Sequence, residues 1–160
     1  MTTTVEFFKE YLSLKQNEID FWPLWNEVEN LLRDMIIKVL LSKYGEEWER
    51  GFLLDYPKRE KQIDELKVVF DKNKKKFEER AKTHLVYYTN PRELYDIFIS
   101  SDWSSFQNIL KDKSKKEWEK ILIFLADVRN PIAHNNEYHL SNHDKNIAIS
   151  YCEIIKNTLK

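Results

Sequence analysis

The residues Trp25–Leu40, "WNEVENLLRDMIIKVL", decide the fold class of this chain. Apolar residues recur every three or four positions along the stretch, which is the spacing of one buried face of an α-helix. Pro23 suits the first turn of such a helix, and Gly45 suits its end. The sequence therefore predicts a helix of roughly 33 Å from Pro23 to about Tyr44, the central strut of an all-α fold.

The rest of the chain also carries helical patterns, and no stretch makes a convincing strand. Two glycines and four prolines leave few places for tight turns. Seven further segments are predicted, and the first three are a helix from Val5 to about Phe21, a short helix and turn within 46–57, and a helix from Pro57 to about Lys82. The next two are a helix that starts at Pro91, with Thr89 or Asn90 as its cap, and a short helix from Trp103 to about Leu110. The last two are a helix capped by Ser114, whose inner face carries Trp118, Ile121, Leu122 and Leu125, and a final helix from about His143.

The length of 160 residues fits one domain, and the single cysteine, Cys152, cannot form a disulfide framework. The first residues lack the pattern of a signal peptide, and no apolar run approaches the roughly 20 residues of a membrane span. We therefore expect a single soluble domain over 1–160, located in the cytoplasm. The net charge of −1 does not by itself predict nucleic-acid binding.

Positive charge is nevertheless concentrated in two lysine-rich clusters. Solvated helix faces are the favoured interpretation of both, and a surface that follows RNA phosphates is the alternative. The first cluster contains Lys72, Lys74, Lys75 and Lys76; the second contains Lys111, Lys113, Lys115 and Lys116.

An arginine and a histidine stand out near the end of the Trp118 helix, in the sequence "DVRNPIAHNN" (127–136). On a helical wheel Arg129 falls inside the apolar stripe, where an unpaired charge would be very costly. A residue before proline avoids the α conformation, so Asn130 is expected to break the helix. "NPIAH" would then open a new helical turn, and the kink would place Arg129 and His134 on one side of a cleft.

A third polar residue, Glu29, lies within the apolar arc of the Trp25 helix. A carboxylate that faces a core requires a cation, and the candidates are Arg33, one turn along the same helix, and Arg129. A purely structural alternative stays open at this point. In that interpretation Glu29 and an arginine form a buried ion pair, the kink is capped, and His134 bonds only to backbone.

These residues resemble the HEPN superfamily (higher eukaryote and prokaryote nucleotide-binding domains). Members carry an arginine, four to six residues that often begin with a polar one, and then a histidine; here these are Arg129, "NPIA" and His134. The stretch "WNEVENLLRDMIIKVL" is similar to the early HEPN helix with its acidic residue, here Glu29. "YTNPRELYDIF" and "DWSSF" resemble the middle of such domains. The resemblance covers about residues 22–159 and implies a helical bundle with extra short helices.

The resemblance also implies an activity: metal-independent endoribonuclease, without a cofactor, in a homodimer whose two motifs face one shared cleft. The RNA 2′-OH would attack the adjacent phosphodiester, with His134 as general acid or base. Arg129 would stabilise the charge on the phosphorane oxygens, and Asn130 would orient its neighbours or the phosphate. Glu29, with Arg33 nearby, would hold Arg129. Members act as toxins or antiviral defence effectors, which suggests an antitoxin or defence-system partner.

Two other functions stay open. One is a catalytically silent HEPN module that binds a protein or a nucleotide; the other is an unrelated helical scaffold. Weak RNA-binding candidates are Lys74, Lys75, Lys76, Lys115 and Lys116, together with the aromatic residues Tyr87, Tyr88 and Trp103. His139 and His143 are interpreted as solvated or capping residues, and His84 is assigned no role.

Overall fold

The structure, a computed structural model, describes residues 4–78, 84–133 and 141–160. Within these ranges the secondary structure is helical and no strand is present, which confirms the predicted all-α class. Its α-helices are α1 (Thr4–Tyr44), α2 (Trp48–Asp55), α3 (Glu60–Phe77), α4 (Pro91–Glu93), α5 (Trp103–Phe106), α6 (Lys115–Ala133) and α7 (Asn142–Leu159). Two 3-10 helices, Pro57–Arg59 and Leu85–Tyr88, and a π-helical segment, Leu94–Ile99, lie between them.

The helix α1 is continuous over 41 residues, or roughly 60 Å, so the predicted separation into two helices at Pro23 is wrong. A proline inside a helix removes one backbone hydrogen bond and crowds the preceding turn. Here Pro23 is exposed, whereas Phe21 and Trp25 on either side are buried and their rings lie 5.8 Å apart. Their burial in the core offsets the local cost and keeps the helix intact. The predicted end is confirmed, because Gly45 adopts φ 78° and donates to the Leu41 carbonyl.

The core lies between α1, α6 and α7, with the segment 85–99 packed against α1 and α6. The predicted inner face of α6 is confirmed, since its apolar residues are at most 4 % exposed. The Trp118 indole also donates to the Leu110 carbonyl at 2.9 Å. The buried residues of this face are Trp118, Ile121, Leu122 and Leu125. They meet the buried residues of α1 (Val28, Leu32, Ile36) and of α7 (Ala148, Cys152, Ile155).

Two predicted caps are present where the helices begin. The Ser114 hydroxyl accepts from the Glu117 backbone N–H, while the Glu117 carboxylate accepts from the Ser114 N–H, which forms a capping box for α6. Asn90 and Glu93 form the same motif before α4. The last helix starts one residue earlier than predicted, after a Ser141 cap.

The predicted bounds of three helices are wrong. α3 starts after a 3-10 turn and ends at Phe77 rather than near Lys82, because Glu78 takes a left-handed φ of 50°. α5 is one turn, Trp103–Phe106, and the chain reaches the buried Leu110 through turns.

The third of these helices is α6, which Asn130 does not break. The helix continues through Pro131 to Ala133, so "NPIA" extends the old helix instead of opening a new one. The backbone donor that Pro131 lacks would have bonded to the Asp127 carbonyl. Asp127 is exposed, so water can satisfy that carbonyl, and the buried Val128 keeps the last turns packed against the core.

None of the helices in the described ranges combines the length and apolar character that crossing a membrane requires.

Candidate functional site

Glu29 lies on the buried face of α1 and is only 5 % exposed. The neighbouring residues on that face, Trp25, Val28 and Leu32, are each 1 % exposed. An unpaired carboxylate in such surroundings would lose its hydration without compensation. The charge of Glu29 therefore requires partners from the protein.

Two arginines supply those partners, which confirms the predicted pairing. Glu29 Oε1 lies 2.8 Å from Nε of Arg129, and Glu29 Oε2 lies 3.4 Å from Nη2 of Arg33. Oε1 accepts no aligned hydrogen bond from the described residues, so the short contact with Arg129 acts mainly through charge. Because Arg129 belongs to α6 and Glu29 to α1, this ion pair connects two core helices.

The cluster of Glu29, Arg33 and Arg129 has one more positive than negative charge. Burial lowers the pKa of Arg33, Glu29 opposes that change, and the nearby Arg129 adds to it. Of the two arginine side chains, Arg33 is 11 % exposed and Arg129 is 29 % exposed. The extra positive charge of the cluster is therefore most accessible to solvent at Arg129.

Arg33 also reaches the segment that precedes α4. Its Nη2 donates to the Thr89 carbonyl at 2.6 Å, while its buried Nε has no hydrogen-bond partner among the described residues. Thr89 is 2 % exposed, and its hydroxyl donates to the Val86 carbonyl. The charge cluster thus fixes the 3-10 helix Leu85–Tyr88 and the following turn against α1.

A cap then sets the start of α4. The Asn90 side chain accepts from the Glu93 N–H at 2.9 Å, and Glu93 Oε1 accepts from the Asn90 N–H at 3.1 Å. Two alternatives for this cap, Thr89 and Asn90, are predicted from the sequence, and the structure selects Asn90.

An open pocket of about 300 Å³ lies at the junction of α1, α6 and this segment. Its lining is almost wholly polar and contains both arginines of the charge cluster. Arg129 contacts the buried carboxylate on one side and lines the pocket on the other, so it can offer positive charge to a bound anion. The lining residues are Arg33, Tyr87, Tyr88, Thr89, Asn90, Glu93 and Arg129.

The two tyrosines of the pocket are held by further contacts. The Tyr87 hydroxyl donates to Asp34 at 2.6 Å, and the Tyr88 ring packs edge-on against Phe70 at 5.9 Å. Tyr87 and Tyr88 are RNA-contact candidates in the sequence, and the structure places them beside Arg129. Trp103, the third aromatic candidate, does not line this pocket.

The other predicted site residues lie elsewhere or outside the described residues. His134 belongs to 134–140, which the structure does not describe, and for Asn130 only the backbone, within α6, is described. The five lysine candidates are exposed and do not line the pocket. Lys74 and Lys76 lie over the rings of Phe70 and Phe77, and Lys115 donates to the Ser100 carbonyl.

Thr89, Asn90 and Glu93 line the pocket, and sequence reasoning did not assign any of them to a site. The pattern "TNPRE" identifies a cap and so could have marked Glu93 as its partner. Nothing in that pattern shows that the cap faces two arginines from other helices.

His84 caps the 3-10 helix that carries Tyr87 and Tyr88, two residues of the pocket wall. Its Nδ1 accepts from the Val86 N–H at 3.1 Å, and its ring stacks on Trp48 with centroids 5.0 Å apart. Burial lowers the pKa of His84, and Glu49 opposes the shift. Protonation would remove the acceptor that caps the 3-10 helix carrying Tyr87 and Tyr88.

We expect the free energy of unfolding to fall as the pH drops below about 6.5, the unfolded-state pKa of histidine. Because the folded-state pKa of His84 is lower, the unfolded chain binds the proton first and is favoured by acid. Urea titrations from pH 7.5 to pH 5 should show a steeper loss in wild type than in His84→Asn, which keeps an acceptor but does not titrate. His143→Asn, at an exposed site, is the control. Parallel curves for wild type and His84→Asn would contradict the assignment.

Among the described residues, no group of three or more His, Cys, Asp or Glu side chains is arranged to hold a metal ion. Comparisons of the chain with protein-family models, with curated proteins and with solved structures give no match.

Proposed function

We propose that this chain is a metal-independent endoribonuclease of the HEPN type. The observation that carries the proposal is the placement of Arg129, which contacts the buried Glu29 at 2.8 Å and lines a polar pocket. The arginine of the "RNPIAH" motif therefore has both a fixed position and access to an anionic ligand. A structural ion pair alone does not require the arginine to line an open pocket.

In the proposed reaction an RNA 2′-OH attacks its own phosphodiester and expels the 5′-oxygen of the next nucleotide. The products are a 2′,3′-cyclic phosphate and a 5′-OH. Arg129 stabilises the negative charge that grows on the nonbridging phosphate oxygens. Glu29 orients Arg129, and Arg33 offsets the charge of Glu29 so that Arg129 keeps its net positive character.

His134 moves the proton, as base toward the 2′-OH or as acid toward the leaving oxygen, because its ordinary pKa lies near neutrality. Asn130 orients the motif or the phosphate. We further propose that two copies of the chain form a homodimer around a composite cleft. The enzyme would act in the cytoplasm as a toxin or defence effector, with an antitoxin or defence-system partner.

The test is an RNA cleavage assay with purified protein in EDTA. We expect cleavage without added metal, and products whose 5′ ends accept label from polynucleotide kinase without prior phosphatase treatment. A single 2′-deoxy substitution at a mapped cleavage site should block cleavage there, while the same substitution two nucleotides away should not. Sedimentation should give twice the chain mass of 19.5 kDa.

Other outcomes identify other functions. Cleavage that requires Mg²⁺, or products with 5′-phosphates, would contradict the proposed chemistry. Binding of RNA or nucleotide without cleavage would favour the catalytically silent HEPN module instead, because the same two arginines can hold a phosphate without cutting the chain.

A further inference from the structure

The pocket beside Arg129 contains an acidic residue as well as two basic ones. Arg33 comes from α1, Arg129 from α6 and Glu93 from α4, so three different elements place these charges around one space. A site for a bare phosphate needs only the basic residues. The carboxylate indicates a ligand that has a hydrogen-bond donor as well as a negative charge.

Glu93 has one oxygen available for such a donor. Its Oε1 accepts from the Asn90 N–H at 3.1 Å, and among the described residues its second oxygen accepts no hydrogen bond. The capping box fixes the side chain, because Asn90 and Glu93 bond to each other in both directions. The second carboxylate oxygen is therefore a positioned acceptor.

The remaining lining suits a nucleobase. Tyr87 and Tyr88 also line the pocket, and tyrosines at RNA sites contact unstacked bases through their rings or their hydroxyl groups. The volume of about 300 Å³ is at the lower end of the range for small-molecule sites, roughly 300–1,000 Å³, which fits one nucleotide rather than several.

We propose that this pocket binds one nucleotide of the RNA, with the phosphate on Arg129 and an exocyclic amino group of the base on Glu93. The inference rests on the proposed ribonuclease function, which makes RNA the source of the nucleotide. An ionised carboxylate only accepts hydrogen bonds, so it pairs with an exocyclic amino group, which is N4 of cytosine, N6 of adenine or N2 of guanine. It repels the O4 carbonyl of uracil and the O6 carbonyl of hypoxanthine.

Binding of nucleoside monophosphates tests the pocket without any cleavage step. CMP and UMP form one pair, which differs at the exocyclic group on C4 and at the proton on the adjacent N3; AMP and IMP form a second pair, which differs in the same way at C6 and N1. Titrations of the full chain by NMR or calorimetry should give CMP and AMP dissociation constants about tenfold lower than those of UMP and IMP. Equal affinity within both pairs for wild type would overturn the proposal.

Glu93→Gln is the diagnostic variant. Glutamine can take the same place in a capping box, so the fold is kept, but one acceptor oxygen becomes an NH₂ donor. We expect the preference for CMP over UMP to disappear or reverse. Glu65→Gln, an exposed site on α3, makes the same chemical change elsewhere and should leave the preference intact. A preference unchanged in Glu93→Gln would overturn the assignment to Glu93.

The results also separate this inference from the proposed function. Selective CMP binding with no RNA cleavage would contradict the proposed ribonuclease function and support the proposed nucleotide site. RNA cleavage with no selectivity in the two nucleotide pairs would support the proposed ribonuclease function and contradict the proposed nucleotide site. If circular dichroism shows that Glu93→Gln does not fold, the affinities of the wild-type protein for the two nucleotide pairs alone decide the proposal.

Discussion

RNA cleavage is expected to fall about 10²–10³-fold in Arg129→Ala and about 10²–10⁴-fold in His134→Ala. The first variant removes the cation that faces the scissile phosphate, and the second removes the group that moves the proton. Initial rates in EDTA, at RNA concentrations well below saturation, give both values. Because the two residues act in one step, the double variant should be little slower than the slower single variant.

Matched controls separate this effect from general loss of charge. Arg50→Ala removes an exposed arginine on α2, and His143→Ala removes an exposed histidine on α7. Both should keep the wild-type rate. Arg129→Lys keeps the charge but not the planar guanidinium, so it should recover only part of the activity. Activity that survives in both Arg129→Ala and His134→Ala would remove these residues from the mechanism.

The sequence predicts the helical faces well because each depends on local spacing. The inner face of α6 and the caps at Ser114 and Asn90 require only residues within one or two turns. The predictions at the two prolines inside helices are wrong because the outcome there depends on packing against distant residues. At Pro23 and Pro131 the local preference is to end a helix, and burial of neighbouring residues against other helices overrides it.

The candidate site shows the same contrast, because local spacing predicts its ion pairs and does not predict its pocket. A charge within an apolar arc must find a counter-charge, so the pairing of Glu29 with Arg33 and Arg129 follows from two helical wheels. The pocket does not follow, because it depends on how the segment 84–93 packs across α1 and α6. That packing uses the Thr89 carbonyl, a backbone atom present at every position, which no sequence pattern can identify. The catalytic role of His134 stays a prediction.

Glu29→Ala is expected to lower the free energy of unfolding by about 3 kcal/mol, the lower end of the range for breaking a buried ion pair. The change leaves Arg33 beside Arg129 without the carboxylate between them, and Arg33 is too buried for full hydration. The value is at the lower end because Arg129 is partly exposed and can turn toward the pocket. Equilibrium urea denaturation measures it. Glu27→Ala, which removes a more exposed carboxylate paired with Lys156 and Lys160, should have a clearly smaller effect.

A second pair of variants identifies Arg33 as the source of that cost. Glu29→Met leaves Arg33 buried without a counter-charge, although its bond to the Thr89 carbonyl remains. Glu29→Met combined with Arg33→Met replaces both buried charges with apolar side chains of similar length and gives up that one bond. We expect the double variant to be more stable than Glu29→Met alone, with Arg129 still hydrated at the pocket. It should nevertheless cleave RNA poorly, because nothing then orients Arg129. A double variant no more stable than Glu29→Met would show that the uncompensated charge of Arg33 costs no more than its bond to the Thr89 carbonyl contributes.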